Sequence, residues 1–222
     1  MSSIADNLTA VRARIAAACA RAGRAPESVR LLAASKYQTS AAIRAAYQAG
    51  QREFGENYVQ ELAHKAADLH ELEGLRWHLI GRLQSNKVKD VLRLGCAVQT
   101  LDSPRLCDAL ARRALAAGQR VEVFLQVNIS EEPQKAGVTV AELPQLAAAA
   151  RASGVLNVRG LMAIPRPADD DETRAAFRRL RELASELGVS ELSMGMSDDL
   201  ELAVEEGATM VRVGTALFGA RP

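Results

Sequence analysis

The residue with the clearest potential for chemistry is Lys36, which ends the apolar run VRLLAASK. Lysine is rarely buried, and an ammonium group held between apolar walls is costly. One interpretation is that Lys36 marks the point where a buried strand reaches water. The other is that its amine attacks a carbonyl compound, because a lysine can form a Schiff base. Lys36 by itself leaves both interpretations open.

A second group of polar residues lies near the C-terminus, in SDDLELAVEEG and VRVGTALFG. Ser197 is a typical helix N-cap, with Asp198 and Asp199 in the first turn. Gly214 allows close approach of the backbone to an anion, and Thr215 offers a hydroxyl. Together these amides and hydroxyls predict a phosphate site. Capping alone explains Ser197 equally well, and the aspartates repel a phosphate unless their side chains point away.

An amine facing a phosphate site matches pyridoxal 5′-phosphate (PLP), which carries both an aldehyde and a phosphate. Lys36 would then hold the aldehyde, and the residues around Ser197 and Thr215 the phosphate. Arg212 lies two residues before Gly214 on a predicted strand, so both point to the same side. Its guanidinium would reach the pyridine nitrogen. An ion pair with a neighbouring strand is the alternative for Arg212.

The elements that must position these residues alternate along the chain. Alanine- and leucine-rich helical segments separate short strand-like runs, and several helices end at glycine. The strands are predicted at 30–35, 53–55, 77–80, 97–100, 121–127, 158–162, 191–193 and 210–213. Eight repeats predict an α/β fold, a (β/α)₈ TIM barrel formed by one domain over residues 1–222. An open doubly wound sheet is the alternative, and it usually has fewer repeats.

An extra helix is predicted at the N-terminus, where apolar residues recur at helical spacing. These residues are Ile4, Leu8, Val11, Ile15 and Cys19. In a barrel of this kind, active sites lie at the C-terminal ends of the strands, and phosphate often binds after strands seven and eight. Lys36 follows the first strand, so the barrel would bring it to the same mouth as Ser197 and Thr215.

Composition excludes several classes of protein. The net charge of +1 gives no reason to expect nucleic acid or an anionic membrane as partner. No apolar stretch approaches the roughly 20 residues that cross a bilayer, and the N-terminus has no secretory apolar core. The three cysteines are scattered, and none has a CxxC partner, which is typical of buried cysteines that act as small hydrophobic residues. We expect a cytoplasmic protein without a metal site.

Several long stretches carry a resemblance that covers nearly the whole chain. They are AASK, FGENYVQE, WHLIGRLQSNK, QVNISEEPQKAGV, RGLMAIP and LSMGMSDDLELAVEEGATMVRVGTALFG. With these segments the sequence resembles the pyridoxal phosphate homeostasis protein family, which is related to the barrel domain of bacterial alanine racemases. The YQTS that follows Lys36 departs from the commoner threonine- and proline-rich version, but the lysine is in place.

The resemblance implies a single-domain barrel that holds PLP as a Schiff base on Lys36. It implies phosphate contacts near Ser197, Gly214 and Thr215, and it places Arg212 at the pyridine nitrogen. The last residue that it implies in the pocket is Asn57, which follows the second strand in GEN.

Two other segments stay outside the predicted site. His78 lies within the third strand and is more typical of a hydrogen-bonded core residue than of a ligand. The polar segment SEEPQKAG, residues 130–137, is predicted as a loop over the mouth. Lys135 in that loop would contact either a ligand or water.

The sequence leaves more than one function open. A homeostasis protein would hold, buffer or deliver PLP, and its partners would be PLP and, for delivery, PLP-dependent apoenzymes. A racemase of related fold uses a lysine and a partner subunit's tyrosine on opposite faces of the cofactor, and Tyr37, Tyr47 and Tyr58 match no such motif. A scaffold with a vestigial site is a third possibility. We expect a monomeric binding protein without catalytic residues or substantial turnover.

Overall fold

The structure, a computed structural model, describes residues 3–132, 134–166 and 168–219. Its described residues form a closed barrel of eight parallel strands in chain order, in which β8 pairs with β1. The strands are β1 (Arg30–Ala34), β2 (Glu53–Glu56), β3 (Arg76–Leu79), β4 (Ala97–Leu101), β5 (Val121–Gln126), β6 (Leu156–Met162), β7 (Glu191–Ser193) and β8 (Met210–Val213). The predicted barrel is confirmed, and closure excludes the open sheet.

Helices follow the strands and surround the barrel. They are α1 (Ile4–Arg21), α2 (Ser40–Gln48), α3 (Val59–Asp68), α4 (Val88–Leu94), α5 (Pro104–Ala116), α6 (Leu143–Ala152), α7 (Asp170–Glu186), α8 (Leu200–Glu205) and α9 (Thr215–Phe218). Short 3-10 turns precede β1 and α4, at Pro26–Ser28 and Ser85–Lys87. No helix in the described ranges has both the length and the apolarity needed to cross a bilayer.

The main core lies between the strands and the helices. Outward-facing strand residues such as Phe54 and Val98 are fully buried against the helices, whose apolar stripes face them. In α7 the stripe contains Phe177, Leu180 and Leu183, as the sequence predicts. Burying one such side chain contributes about 1.5–3 kcal/mol. The alternation of strand residues therefore fixes which ones face the helices and which face the barrel interior.

The extra N-terminal helix is confirmed, and it supports one side of the barrel. Helix α1 starts at a capping box between Ser3 and Asp6 and buries Leu8, Val11 and Ile15. It packs against α2, α8 and α9. Because α8 and α9 follow β7 and β8, this helix braces the loops in which the phosphate site is predicted.

The barrel interior is partly polar. Leu32, Phe124 and Met210 lie inside it, and four polar residues are buried with them. Those polar residues are His78, Gln99, Ser193 and Arg212. The cysteines are free and buried, as predicted, and burial raises the pKa of the Cys96 thiol to about 12. Apolar and polar side chains share this interior, since Leu32 is level with Arg212 and Gln99 contacts Met210.

Candidate functional site

Lys36 lies in a tight turn two residues beyond the end of β1. The Gln38 amide donates to the Ser35 carbonyl at 2.9 Å, which closes the turn around Lys36 and Tyr37. Tyr37 has φ +63°, a left-handed conformation that L residues seldom adopt. Lys36 itself is half-buried and makes no hydrogen bond or ion pair with a described residue. Lys36 thus follows the first strand at its carboxyl end, as predicted, and its amine is available for a ligand.

A second lysine lies directly behind this turn. The Lys65 ammonium donates to the Ser35 carbonyl, to Glu56 Oε1 and to Glu61 Oε1, each at 2.7 Å. Lys65 lies on α3 and is only 4% exposed. All three ammonium hydrogens are directed at acceptors, so Lys65 offers no lone pair for attack on a carbonyl.

Arg212 projects from β8 into the barrel. Its Nη1 donates to the carbonyl and to the hydroxyl of Ser193, at 2.6 and 2.9 Å, and its Nη2 donates to the Ala163 carbonyl at 3.0 Å. Burial lowers the pKa of Arg212 to about 10, while nearby Asp199 opposes the shift. The guanidinium therefore remains charged at neutral pH. Its Nε–H and one Nη2 hydrogen are left for another acceptor.

The alternative for Arg212, an ion pair with a neighbouring strand, is not what the structure shows. The partners on β7 and beyond β6 are backbone carbonyls and a hydroxyl. These neutral acceptors hold the guanidinium without cancelling its charge. Arg212 is thus a positive group fixed at the floor of the mouth.

A chain of hydrogen bonds runs from Arg212 down the barrel. The Ser193 hydroxyl donates to Gln99 Oε1 at 2.7 Å, and Gln99 Nε2 lies 3.1 Å from His78 Nδ1. Burial lowers the pKa of His78 to about 3, with Arg30 and Arg76 adding to the shift. The imidazole is therefore neutral, and Nδ1 accepts from Gln99. The prediction that His78 is a hydrogen-bonded core residue is confirmed.

The residues predicted to hold phosphate lie together on the loops after β7 and β8. The Ala216 amide donates to the Ser197 hydroxyl at 3.4 Å, which joins the two loops. A Cβ at Gly214 would lie 3.1 Å from the Ala34 carbonyl oxygen, so a larger residue would require β1 to shift by a few tenths of an ångström. Thr215 is exposed at the start of α9. Gly214 thus brings this loop against the strand that leads to Lys36.

The prediction that Ser197 opens a helix is wrong. Helix α8 starts at Leu200, and Ser197 lies in the turn before it. The chain leaves β7 through Gly195, whose φ of +89° and contact with Ala203 turn it sharply before a helix can begin. Arg14 of α1 then holds this turn by donating to the Ser197 carbonyl at 2.8 Å. The Ser197 hydroxyl is consequently directed at α9 instead of capping α8.

The two aspartates after Ser197 have different surroundings. Asp199 is half-buried, and its Oδ1 accepts from the Met196 amide at 2.6 Å. Burial raises the pKa of Asp199, against the effect of that amide and of Arg212. Asp198 is exposed. Asp199 thus takes part in its own turn near Arg212, and Asp198 faces solvent.

Asn57 follows β2 and is half-buried beside the β3 loop. A Cβ on Gly81 would lie 2.1 Å from the Asn57 carbonyl oxygen, so this close packing requires glycine. Asn57 lines a cavity of about 500 Å³ whose wall includes Tyr58, Arg82 and Lys87. Because β2 neighbours β1, Asn57 lies on the Lys36 side of the mouth.

The barrel thus places every predicted site residue on, or in the loop after, one of four neighbouring strands, β7, β8, β1 and β2. The features fit PLP. A half-buried amine has no partner among the described residues, a glycine packs closely against its strand, and a buried guanidinium has hydrogens to donate.

The loop over residues 130–137 is described except for Pro133, which lies outside the described residues. Its end returns to β5, where the Val138 amide donates to the Gln126 carbonyl at 2.8 Å. Lys135 Nζ lies 3.4 Å from a Glu132 oxygen. Lys135 thus has an ion pair within the loop, and its contact with a ligand or with water stays a prediction.

Comparison with known proteins identifies the family. The family described as alanine racemase, N-terminal domain, matches residues 7–222. Two proteins named pyridoxal phosphate homeostasis protein, from Pseudomonas aeruginosa and Escherichia coli K12, are 49% and 45% identical to the whole chain and are covered over 97% and 98% of their lengths. This chain belongs to the pyridoxal phosphate homeostasis protein family.

Solved structures agree with this family membership. PipY of Synechococcus elongatus, in the structure with PLP bound, is 42% identical with a TM-score of 0.83, over 98% of this chain and all of that one. Its structure without PLP gives a TM-score of 0.88. Alanine racemase of Corynebacterium glutamicum is 18% identical with a TM-score of 0.70, over 97% of this chain and 62% of that one. The last comparison shows the shared barrel fold alone.

Sequence reasoning missed the residues that position this family member's site. Arg14 and Asn7 of α1 bond to the Ser197 carbonyl and to the Leu217 carbonyl. Ser193 and Gln99 connect Arg212 to His78. The one available signal was a polar residue within an otherwise apolar strand, as Gln99 is. Polar residues on α1 gave no signal, because their partners are 183 and 210 residues away in sequence.

Replacement of His78 by glutamine should remove part of the pH dependence of stability. The folded pKa of about 3 lies below the ordinary 6.5, so the unfolded chain alone takes up a proton between these values. The contribution of neutral His78 is complete above about pH 6.5 and declines as the pH falls, by up to about 1.4 kcal/mol per pH unit. Urea unfolding of the wild type and His78→Gln between about pH 7 and about pH 4 measures it.

The control is His64→Gln, because the His64 side chain is 76% exposed. This variant should keep the wild-type slope of unfolding free energy against pH. Equal slopes for wild type and His78→Gln would contradict the neutral, buried state of His78.

Proposed function

We propose that this chain binds PLP as a Schiff base on Lys36 and serves cytoplasmic PLP homeostasis by holding, buffering or delivering the cofactor. The observation that carries the proposal is the half-buried Lys36 amine without a partner at the barrel mouth. Membership of the homeostasis family and the PLP bound to PipY support it.

Each candidate residue has a role that its surroundings allow. Lys36 supplies the amine, and Arg212 donates a hydrogen bond to the pyridine nitrogen from the floor of the mouth. Ser197, Gly214 and Thr215 bind the phosphate through amides and hydroxyls on adjoining loops. Asn57, the remaining residue of the proposed site, lines the wall next to Lys36. PLP, when bound, supplies an aldehyde that reacts with amines.

The electrostatics of Arg212 favour a binding protein over an enzyme. A charged guanidinium only donates hydrogen bonds, so it leaves the pyridine nitrogen unprotonated. Enzymes that draw electrons into the ring usually place an acid at this nitrogen. The charge of Arg212 thus supports cofactor binding more than stabilisation of a carbanion.

The tyrosines do not supply a second proton-transfer group opposite Lys36. Tyr37 and Tyr58 follow β1 and β2, on the Lys36 side, and their hydroxyls lie 3.1 Å apart. Tyr47 lies on α2, where its hydroxyl donates to the Glu73 carbonyl. All three tyrosines of the chain are described. Two-sided proton transfer, which the racemase alternative needs, therefore has no tyrosine of this chain to use.

Borohydride reduction of the PLP-loaded protein should attach the cofactor to Lys36. The Lys65 ammonium donates to three acceptors, whereas the Lys36 amine donates to none among the described residues. Peptide mapping by mass spectrometry locates the label. Lys36→Ala should abolish the label, and Lys87→Ala, a lysine on the neighbouring cavity, serves as the matched control. Label on Lys135 or spread over several lysines would overturn the assignment.

Thr215→Val should weaken PLP binding by about 10- to 100-fold. A hydrogen bond to a charged group contributes about 1.5–3 kcal/mol, and about 1.4 kcal/mol corresponds to tenfold. Valine keeps the shape and removes the hydroxyl. Fluorescence titration of the apoprotein with PLP and with pyridoxal measures the two affinities. Pyridoxal has no phosphate, so its binding should be unchanged. An equal loss for both ligands would show that Thr215 supports the fold instead.

The PLP-loaded protein should show no substantial racemase, transaminase or decarboxylase turnover. The physical reasons are the donor at the pyridine nitrogen and the missing second group. Chiral chromatography of each common amino acid after incubation measures racemisation, and product analysis measures the other reactions. Steady turnover that Lys36→Ala abolishes would favour the racemase alternative over homeostasis.

A further inference from the structure

We propose that the buried cluster of Lys65, Glu56 and Glu61 is the positioning device for the reactive lysine, acting through the backbone on both sides of Lys36. This inference rests on the proposed function of Lys36 and adds the residues that orient it. None of the three cluster residues is predicted to touch PLP.

The residue before Lys36 is anchored at every polar group that it has. The Ser35 amide donates to the Gly55 carbonyl at 2.9 Å. Its hydroxyl donates to Glu56 Oε1 at 2.6 Å, and its carbonyl accepts from Lys65 Nζ at 2.7 Å. The carbonyl also accepts from Gln38 to close the turn. Ser35 is completely buried, so none of these bonds competes with water.

The residue after Lys36 is anchored by the same cluster. The Tyr37 amide donates to Glu61 Oε1 at 2.6 Å, and that oxygen also accepts from Lys65 at 2.7 Å. Tyr37 occupies the third position of the turn with φ +63°. A non-glycine residue stays in this region only where its surroundings hold it there. The Glu61 carboxylate supplies that hold, and Lys65 fixes the carboxylate.

The cluster is poorly arranged for stability alone. Glu56 has a fully buried side chain, and its Oε2 has no hydrogen-bond partner among the described residues. A buried ion pair is weak grounds for expecting added stability, because desolvation offsets the attraction. What the cluster does achieve is geometric. Glu56 comes from β2 and the other two residues from α3, and together they fix the β1 turn from behind.

Because the backbone is fixed at Ser35 and at Tyr37, only the side chain of Lys36 is free to move. Its amine is therefore presented to the mouth instead of sampling solvent with the turn. If the Tyr37 side of the turn is released, the backbone gains freedom that corresponds to about tenfold in the population of the competent conformation. Holding a nucleophile in the correct orientation increases the rate of its reaction.

The experiment measures the rate at which pyridoxal labels Lys36 in the apoprotein, trapped by borohydride and quantified by peptide mapping. Pyridoxal lacks the phosphate, so the rate reports Lys36 and not the phosphate contacts. Glu61→Ala removes the acceptor of the Tyr37 amide, and it is expected to slow labelling about tenfold. Glu61→Gln keeps an oxygen acceptor and is expected to restore the rate to within about twofold of wild type.

Glu61 suits this test because its side chain is 23% exposed, so truncation leaves a smaller defect than at fully buried Glu56. A second variant, Ser35→Ala, loosens the other side of the turn. It should slow labelling less than Glu61→Ala, because Lys65 still holds the Ser35 carbonyl.

The matched control is Glu191→Ala. Glu191 is a 14% exposed carboxylate at the opposite end of the barrel, where it pairs with Arg30 and Arg159. It should lower the melting temperature of the apoprotein at least as much as Glu61→Ala without slowing the labelling of Lys36. Slowing by Glu191→Ala as large as that by Glu61→Ala, or no slowing by Glu61→Ala, would overturn the positioning role. Wild-type label on another lysine would instead overturn the proposed function.

Discussion

The pairing of β8 with β1 is the constraint on which the rest of the structure depends. It aligns Leu32 with Arg212 and Ala33 with Val213, and so joins the start of the chain to its end. Without this closure, Lys36 and Gly214 would lie at opposite edges of an open sheet. The close contact between Gly214 and the Ala34 carbonyl shows how tightly the two ends meet. A site shared by the first and last strands therefore exists only in the closed barrel.

Closure also creates an interior in which charge is expensive. Arg212 tolerates that interior because Ser193 and Ala163 supply acceptors at short distance. The same desolvation keeps His78 neutral, so that Gln99 connects a charged group above to an uncharged one below. Burial lowers the pKa of both groups, but only His78 becomes neutral at pH 7, because the pKa of Arg212 starts much higher.

The outer layer holds the loops at the mouth from two directions. Helix α1 reaches the Ser197 turn through Arg14, and the carboxylate of Glu201 holds the same guanidinium. On the other side of Lys36, α3 fixes the β1 turn through Lys65 and Glu61. These contacts come from helices on the outside of the barrel, while the residues proposed to touch PLP lie on its rim. The arrangement separates the residues that bind from those that orient.

The sequence by itself determined the class of the fold and the eight strands to within two residues, because hydrophobic periodicity and glycine positions are local properties. Of the proposed site residues, Asn57 came from the family resemblance alone. The sequence could not determine that Lys65 is buried, since this depends on where β2 places Glu56. Nor could it show that Ser197 lies before α8, because Gly195 and Arg14 bend the chain there. Tertiary structure decided these points, since each depends on charges and contacts brought together from distant parts of the chain.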